Sequence, residues 1–102
     1  MDFKIVITFA ARSDLGTIAG YIARDDKEVA LKFGRALIKR AKSLSSQPMM
    51  GREITLQDGI VVRQIIHRQY RILYELDEPS KVVYILRFWH GARGEPKLTD
   101  EG

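Results

Sequence analysis

The segment YRILYELDEPSKVVYILRFW, Tyr70 to Trp89, decides the fold. Two runs inside it, Tyr70 to Leu76 and Val82 to Trp89, are rich in β-branched and aromatic residues, the composition of strands in a pleated, partly buried surface. Asp77 to Lys81, with Pro79, separates them and is too short for a crossover, so the runs pair as an antiparallel hairpin. A third run, Ile60 to Ile66, joins the first through His67-Arg68-Gln69, again only a hairpin's length. Alternation then sorts the faces. Tyr70, Ile72, Tyr74 and Leu76 share one side, and Arg71, Leu73 and Glu75 the other. In the last run Val82, Tyr84, Leu86 and Phe88 oppose Val83, Ile85, Arg87 and Trp89. In the third, Val62 and Ile66 flank Gln64 while Arg63 and Ile65 point away.

Upstream the period changes. Phe3, Ile5 and Ile7 alternate with Lys4, Val6 and Thr8 and predict an opening strand. Ser13 has the chemistry of an N-cap with Asp14 in the first turn, followed by Leu15, Ile18, Ala19 and Ile22 at helical spacing. Gly16 and Gly20 in that helix would permit close packing against a neighbour. Asp25 and Glu28 have the spacing of a capping box. Beyond them Ala30, Phe33, Leu37, Ala41 and Leu44 form one apolar stripe, with Lys32, Arg35, Lys39 and Lys42 on other faces. A turn near Arg24 to Lys27 makes the two helices a hairpin, and SSQPMMG ends the second. The order is β-α-α-β-β-β, an α+β fold whose aromatic-rich sheet face seats the helix hairpin.

Length bounds this to a single domain spanning 1–102. A 45% hydrophobic and 29% charged composition is that of a globular chain. With no cysteine, disulfides, iron–sulfur clusters and thiol catalysis are excluded. Two histidines, His67 and His90, without clustered carboxylates predict no metal site, and scattered glycines predict no phosphate-cradling loop, so no cofactor is expected. Neither a signal peptide nor a run long enough to span a bilayer is present, which predicts a cytoplasmic protein with no membrane partner.

Net charge is +4, unevenly spread. Residues 27–52 carry seven Lys or Arg against Glu28 alone. Residues 59–74 hold Arg63, Arg68 and Arg71 and no acid. Such asymmetry favours a polyanionic partner, nucleic acid or acidic protein, with a solvated helix face as the equal alternative for the lysines. Simple hairpin register brings Arg71 near Arg87, with Arg63 and Trp89 on the same side and only Glu75 to offset them. Like charges so placed repel unless something anionic binds there.

The YRILY strand, the acidic turn, the VVYILR strand and the terminal His-Gly-Ala-Arg, in this order behind a basic second helix, resemble the RelE/ParE superfamily of bacterial type II toxins. The resemblance spans nearly the whole chain. It implies a four-stranded antiparallel sheet under the helix hairpin. It also implies a toxin neutralised by a cognate antitoxin, alone as a homodimer or in a toxin–antitoxin hetero-oligomer, and related proteins are named for plasmid stabilisation. Members divide by target: RelE- and YoeB-like mRNA interferases cut mRNA on the ribosome, and ParE-like members act on DNA gyrase.

Within that resemblance Arg71 matches the arginine that contacts the scissile phosphate in the nucleases, chemistry suited to a guanidinium. His90 stands where YoeB-like members place a catalytic acid, although alternation puts it on the Phe88 face as a hydrogen-bonded core histidine. Glu53 lies near the position of their general base. Trp89 could stack a base or cover a core edge, and Arg63, Arg68, Arg87 and Arg93 are candidate target contacts. Departures weigh against the nuclease: Gly91 replaces an aromatic, VVRQIIHR lacks paired lysines, and no Tyr follows Tyr84. ParE-like action on gyrase is therefore the expectation. Ribosome-dependent mRNA endonuclease action and a non-toxic antitoxin-binding module are the alternatives.

Overall fold

A computed structural model describes residues 2–100. The elements run β1 (Lys4–Ile7), α1 (Phe9–Ala23), α2 (Lys27–Lys42), β2 (Arg52–Thr55), β3 (Val61–His67), β4 (Tyr70–Asp77) and β5 (Val82–His90). One-turn 3₁₀ segments follow α2 at Ser43–Ser45 and β5 at Gly91–Arg93. The fold is α+β, with both helices on one face of a single sheet of order β1-β5-β4-β3-β2.

The sheet has five strands and is mixed, which corrects the four-stranded antiparallel expectation. β1 lies parallel to β5 at one edge, pairing Lys4 with Val82 through Ile7 with Ile85. The extra strand is β2, from GREITL, antiparallel to β3. It is short and mostly exposed, with Ile54 its one inward apolar residue, so its sequence carries little strand signal. Tertiary contact creates it. The Tyr74 hydroxyl donates to Pro48 O at 2.8 Å and accepts from Gly51 N at 2.8 Å, locking the approach to β2. Any Cβ at Gly51 would sit 2.5 Å from that hydroxyl, so only glycine fits.

Both helices start elsewhere than their cap signals suggest. Thr8, not Ser13, caps α1: its hydroxyl accepts from Ala11 N at 3.3 Å and donates to Ile85 O at 2.8 Å. That second bond ties the helix start to β5 and overrides the local signal at Ser13. Asp26, not Asp25, caps α2 through Glu28 N and Val29 N. A Cβ on Gly16 or Gly20 would meet nothing within 4 Å, so neither glycine serves close packing.

The main core lies between helices and sheet and centres on Leu37, Leu44, Ile72, Tyr74, Ile85 and Phe88. One irregularity reshapes it. Along β5 the pairing jumps from Arg87 with Leu73 to Ile85 with Tyr74, leaving Leu86 as a bulge. The alternation of β5 therefore reverses at that point. Val83 and Ile85 join Phe88 under the helices, while Leu86 joins Leu56, Val62 and Leu73 in a second cluster on the opposite, open face. With the turn closing on Asp77 and Val82, the bulge sets Arg71 opposite Trp89, not Arg87.

Arg87 is not an unpaired cation. β1 covers β5 only as far as Ile85, and beyond it α1 supplies the buried Asp14 to the bare edge. Its carboxylate accepts from Arg87 Nε at 2.8 Å and Nη2 at 2.7 Å, and from Phe88 N at 3.0 Å. This two-pronged ion pair is the acid that face-counting within the sheet cannot find. The Asp14 bonds raise the Arg87 pKa above its ordinary value despite burial. Replacing Asp14 by Ala would strand a guanidinium that is 1% exposed and should cost about 3–5 kcal/mol in urea unfolding. Asp100→Ala, which removes the exposed second partner, should cost about 0–1 kcal/mol.

His67 ends β3 beneath α2, its ring 6.0 Å from that of Phe33, and its Nε2 is buried with no hydrogen-bond partner among the described residues. Burial first, then Arg68 and Arg40, lower its pKa from 6.5. The neutral imidazole belongs to the folded chain, so this group costs nothing above about pH 6.5, and its loss of stability accrues as the pH falls from there to its lowered folded value. His67→Phe should flatten that acid limb, read as the urea midpoint at pH 5 against pH 7.5.

Candidate functional site

The open face of the sheet is built by alternate residues of β3, β4 and the far half of β5. Gln64, Ile66, Arg71, Leu73, Arg87 and Trp89 pair across it. Residues 94–100 return over this face. Pro96 is buried and Leu98 rests on the cluster of Leu56, Val62 and Leu73. Three bonds tether this strap: Arg87 Nη1 to Lys97 O at 3.0 Å, Arg87 Nη2 to Asp100 at 3.2 Å, and Trp89 Nε1 to Gly94 O at 3.1 Å. Gly94, with φ of 81°, makes the reversal from the 3₁₀ turn into the strap.

Arg71 is the open-face candidate best placed to meet a ligand. It is partly exposed on β4, and its Nε donates to Gln64 Oε1 at 2.7 Å. Gln64 is itself buried, so it acts as a rigid support for the guanidinium. The Nη groups make no hydrogen bond among the described residues and are free to take a phosphate or carboxylate in two-pronged fashion.

Its expected companions are largely occupied by structural work. Arg87 is consumed by Asp14 and the strap. Trp89 is 2% exposed, with the Arg93 guanidinium 3.8 Å over its ring and Arg87 5.1 Å from it, so no base can stack there in this conformation. Arg93 is half-exposed and also approaches Asp100 at 3.7 Å. Arg63 falls on the helix side of the sheet, where Nη1 donates to Gly51 O at 2.6 Å. Arg68 is exposed in the β3–β4 turn with φ of 54°, a left-handed conformation unusual for a non-glycine residue.

Glu53, His90 and Arg71 do not come together. Glu53 lies on the edge strand β2, exposed and opposite Arg63. His90 ends β5, three strand spacings away across the sheet order, about 14 Å at the usual interstrand distance. It also points to the helix side, opposite Tyr70, with the two rings edge-to-face at 5.0 Å. Its Nδ1 accepts from Ala92 N at 3.0 Å, which puts any neutral-form proton on Nε2. There it lines an open groove of ≈ 660 Å³ between α2 and the β3–β4 turn, with Tyr21, Val29, Phe33 and Tyr70. Among the described residues no group of three or more His, Asp or Glu could hold a metal ion, and no helix is long and apolar enough to cross a membrane.

Three participants escape a reading of the sequence alone: Gln64, Asp14 and the strap. Gln64 had a signal, as the one uncharged polar residue inside VVRQIIH. Asp14 and Leu98 had none, because each finds its partner more than ten residues away in the chain. Removing the strap's anchor by Leu98→Ala should lower stability by about 1–2 kcal/mol, since the side chain is only partly buried. It should also raise binding of a hydrophobic dye as Leu56, Val62 and Leu73 open to water.

Residues 5–94 match the family model described as the ParE toxin of the type II toxin–antitoxin system parDE. Among solved structures, a chain of the toxin–antitoxin complex RelBE2 from Mycobacterium tuberculosis superposes with a TM-score of 0.68 at 23% identity, over 88% of this chain and 99% of that one. A chain of the chromosomal ParDE system from P. aeruginosa does so with a TM-score of 0.68 at 22% identity, over 86% and 95%. At these identities the likeness is one of fold. No curated protein matches in sequence. With the family match covering most of its length and the same fold in both complexes, the chain belongs to the ParE toxin family of the RelE/ParE superfamily.

Proposed function

We propose that the chain arrests growth as the toxin of a type II pair, that a cognate antitoxin neutralises it, and that its target is DNA gyrase. The observation carrying the choice of target is the dispersal of Glu53, His90 and Arg71. Cleavage of RNA by its own 2′-hydroxyl needs a base and an acid within hydrogen-bond reach of one phosphate. Here the candidate base sits at a sheet edge and the candidate acid three strands away on the same helix side, while Arg71 lies on the opposite, open face. The ParE description of the matching family agrees with this choice. So do the printed descriptions of the two similar structures, both toxin–antitoxin complexes, with an antitoxin partner.

Arg71 retains a role in this reading. Held by Gln64 with its Nη groups free, it presents an anion contact beside the Arg93–Trp89 stack and the strap. The open face and its C-terminal rim are then the surface offered to the target. The same free guanidinium is the specific observation favouring a second reading, ribosome-dependent mRNA cleavage. That reading requires the ribosome to supply the acid and base that this chain does not assemble.

Two assays on the purified chain separate these. Inhibition of gyrase supercoiling, with intact mRNA in primer extension on translating ribosomes, is expected. His90→Ala should leave growth arrest unchanged, while Arg71→Ala and Arg93→Ala should weaken it. Discrete ribosome-dependent cuts, reduced about 10²-fold or more by Arg71→Ala, would instead assign the arginine to a scissile phosphate and overturn the gyrase reading.

A further inference from the structure

One strongly charged surface takes no part in any of this. Lys32, Arg35, Lys39 and Lys42 follow one another at intervals of three or four residues along α2, and all four are exposed. This spacing lines them up on the helix face turned away from Ala30, Leu37 and Ala41, which are buried against the sheet. The ion pairs among the described residues all involve Arg87 or Arg93, so none of the four is neutralised. Glu28, one turn before Lys32, is the only acid on the helix. A row of four uncompensated cations costs self-repulsion unless an anion lies along it.

We propose that this face of α2 is a binding surface for the phosphate backbone of nucleic acid. It goes beyond the gyrase reading and is independent of the open face. Three features select a polyphosphate over an acidic protein segment. The row is straight and spans ten residues, about 15 Å of helix axis, a length over which duplex DNA presents about four phosphates per strand. Three of the four cations are lysines, flexible point charges suited to phosphates of varying position, where planar carboxylate recognition would favour arginine. A protein partner would need apolar anchors, and the row itself contains none: exposed Leu31 and Val29 flank it, and only Lys32, at its N-terminal end, lines the groove with Tyr21 and Val29.

The test is fluorescence anisotropy of a short labelled DNA duplex of arbitrary sequence, titrated with the purified chain over a range of salt. Four neutralised phosphates predict a slope of log K against log salt of about −3.6, equivalent to about 10²-fold weaker binding at 200 than at 50 mM. The variant carrying Lys32→Gln, Arg35→Gln, Lys39→Gln and Lys42→Gln changes only exposed side chains, and circular dichroism checks its fold. It should bind at least about tenfold more weakly and lose most of that slope, whereas Arg12→Gln, which removes an exposed cation of α1 outside the row, should leave affinity and slope unchanged. Unchanged affinity and slope in the quadruple variant would reduce the row to a solvated face and overturn the proposal. Displacement of the duplex by polyglutamate as effectively as by unlabelled DNA of equal charge would overturn it in favour of an acidic protein. Because no gyrase is present, neither outcome bears on the choice of target.

Discussion

The Asp14–Arg87 ion pair is the contact on which the two sides of this sheet depend. Arg87 is almost wholly buried, and burying a guanidinium is costly unless its hydrogen-bonding capacity is used. Its Nε and Nη2 meet Asp14, Nη1 meets Lys97 O, and Nη2 also reaches Asp100. The same carboxylate satisfies Phe88 N, a backbone donor that β1 is too short to reach. One residue pair therefore seals the sheet edge, docks α1 and positions the strap that floors the open face. Shifting β5 by one residue would lose all of these together.

Around that anchor the molecule separates its chemistry by face. The helix side holds the main core, the aromatic contacts of Phe33 and Tyr70, and His90 at the margin of a groove. The open side holds Arg71 on its Gln64 support and the buried Trp89 clamped by two arginines. Outermost on α2 is the unpaired basic row. The separation puts the Arg71 face and the helix-side groove on opposite sides of the sheet.

Much of the architecture is legible in the residues. The hairpins around Arg68-Gln69 and Pro79 follow from turn length, and the amphipathic stripe of α2 from its period. The helix face of β4 follows from the alternation Tyr70, Ile72, Tyr74, Leu76. The illegible parts share a physical cause. The β5 bulge at Leu86, the Thr8 cap bonded to Ile85 O and the strand status of Arg52–Thr55 are all imposed by partners distant in the chain. Each overrides a weak local preference. The candidate site suffered most here, because the turn closing on Asp77 and Val82 and the one-residue bulge together move Arg87 from beside Arg71 to beside Leu73.

The sequence by itself determined the fold class and the basic second helix, because these rest on periodicity, turn chemistry and composition, which are local; the family likeness rests on the order of its quoted motifs. Only the tertiary structure decided which arginines are free. Arg63 bonds to Gly51 O, Arg87 pairs with Asp14, Arg93 lies on Trp89, and Arg71 alone of these keeps its Nη groups open. Charge is read from the chain, but whether a charge is spent inside the protein or left for a ligand depends on which acids and carbonyls the fold brings within about 3 Å of it.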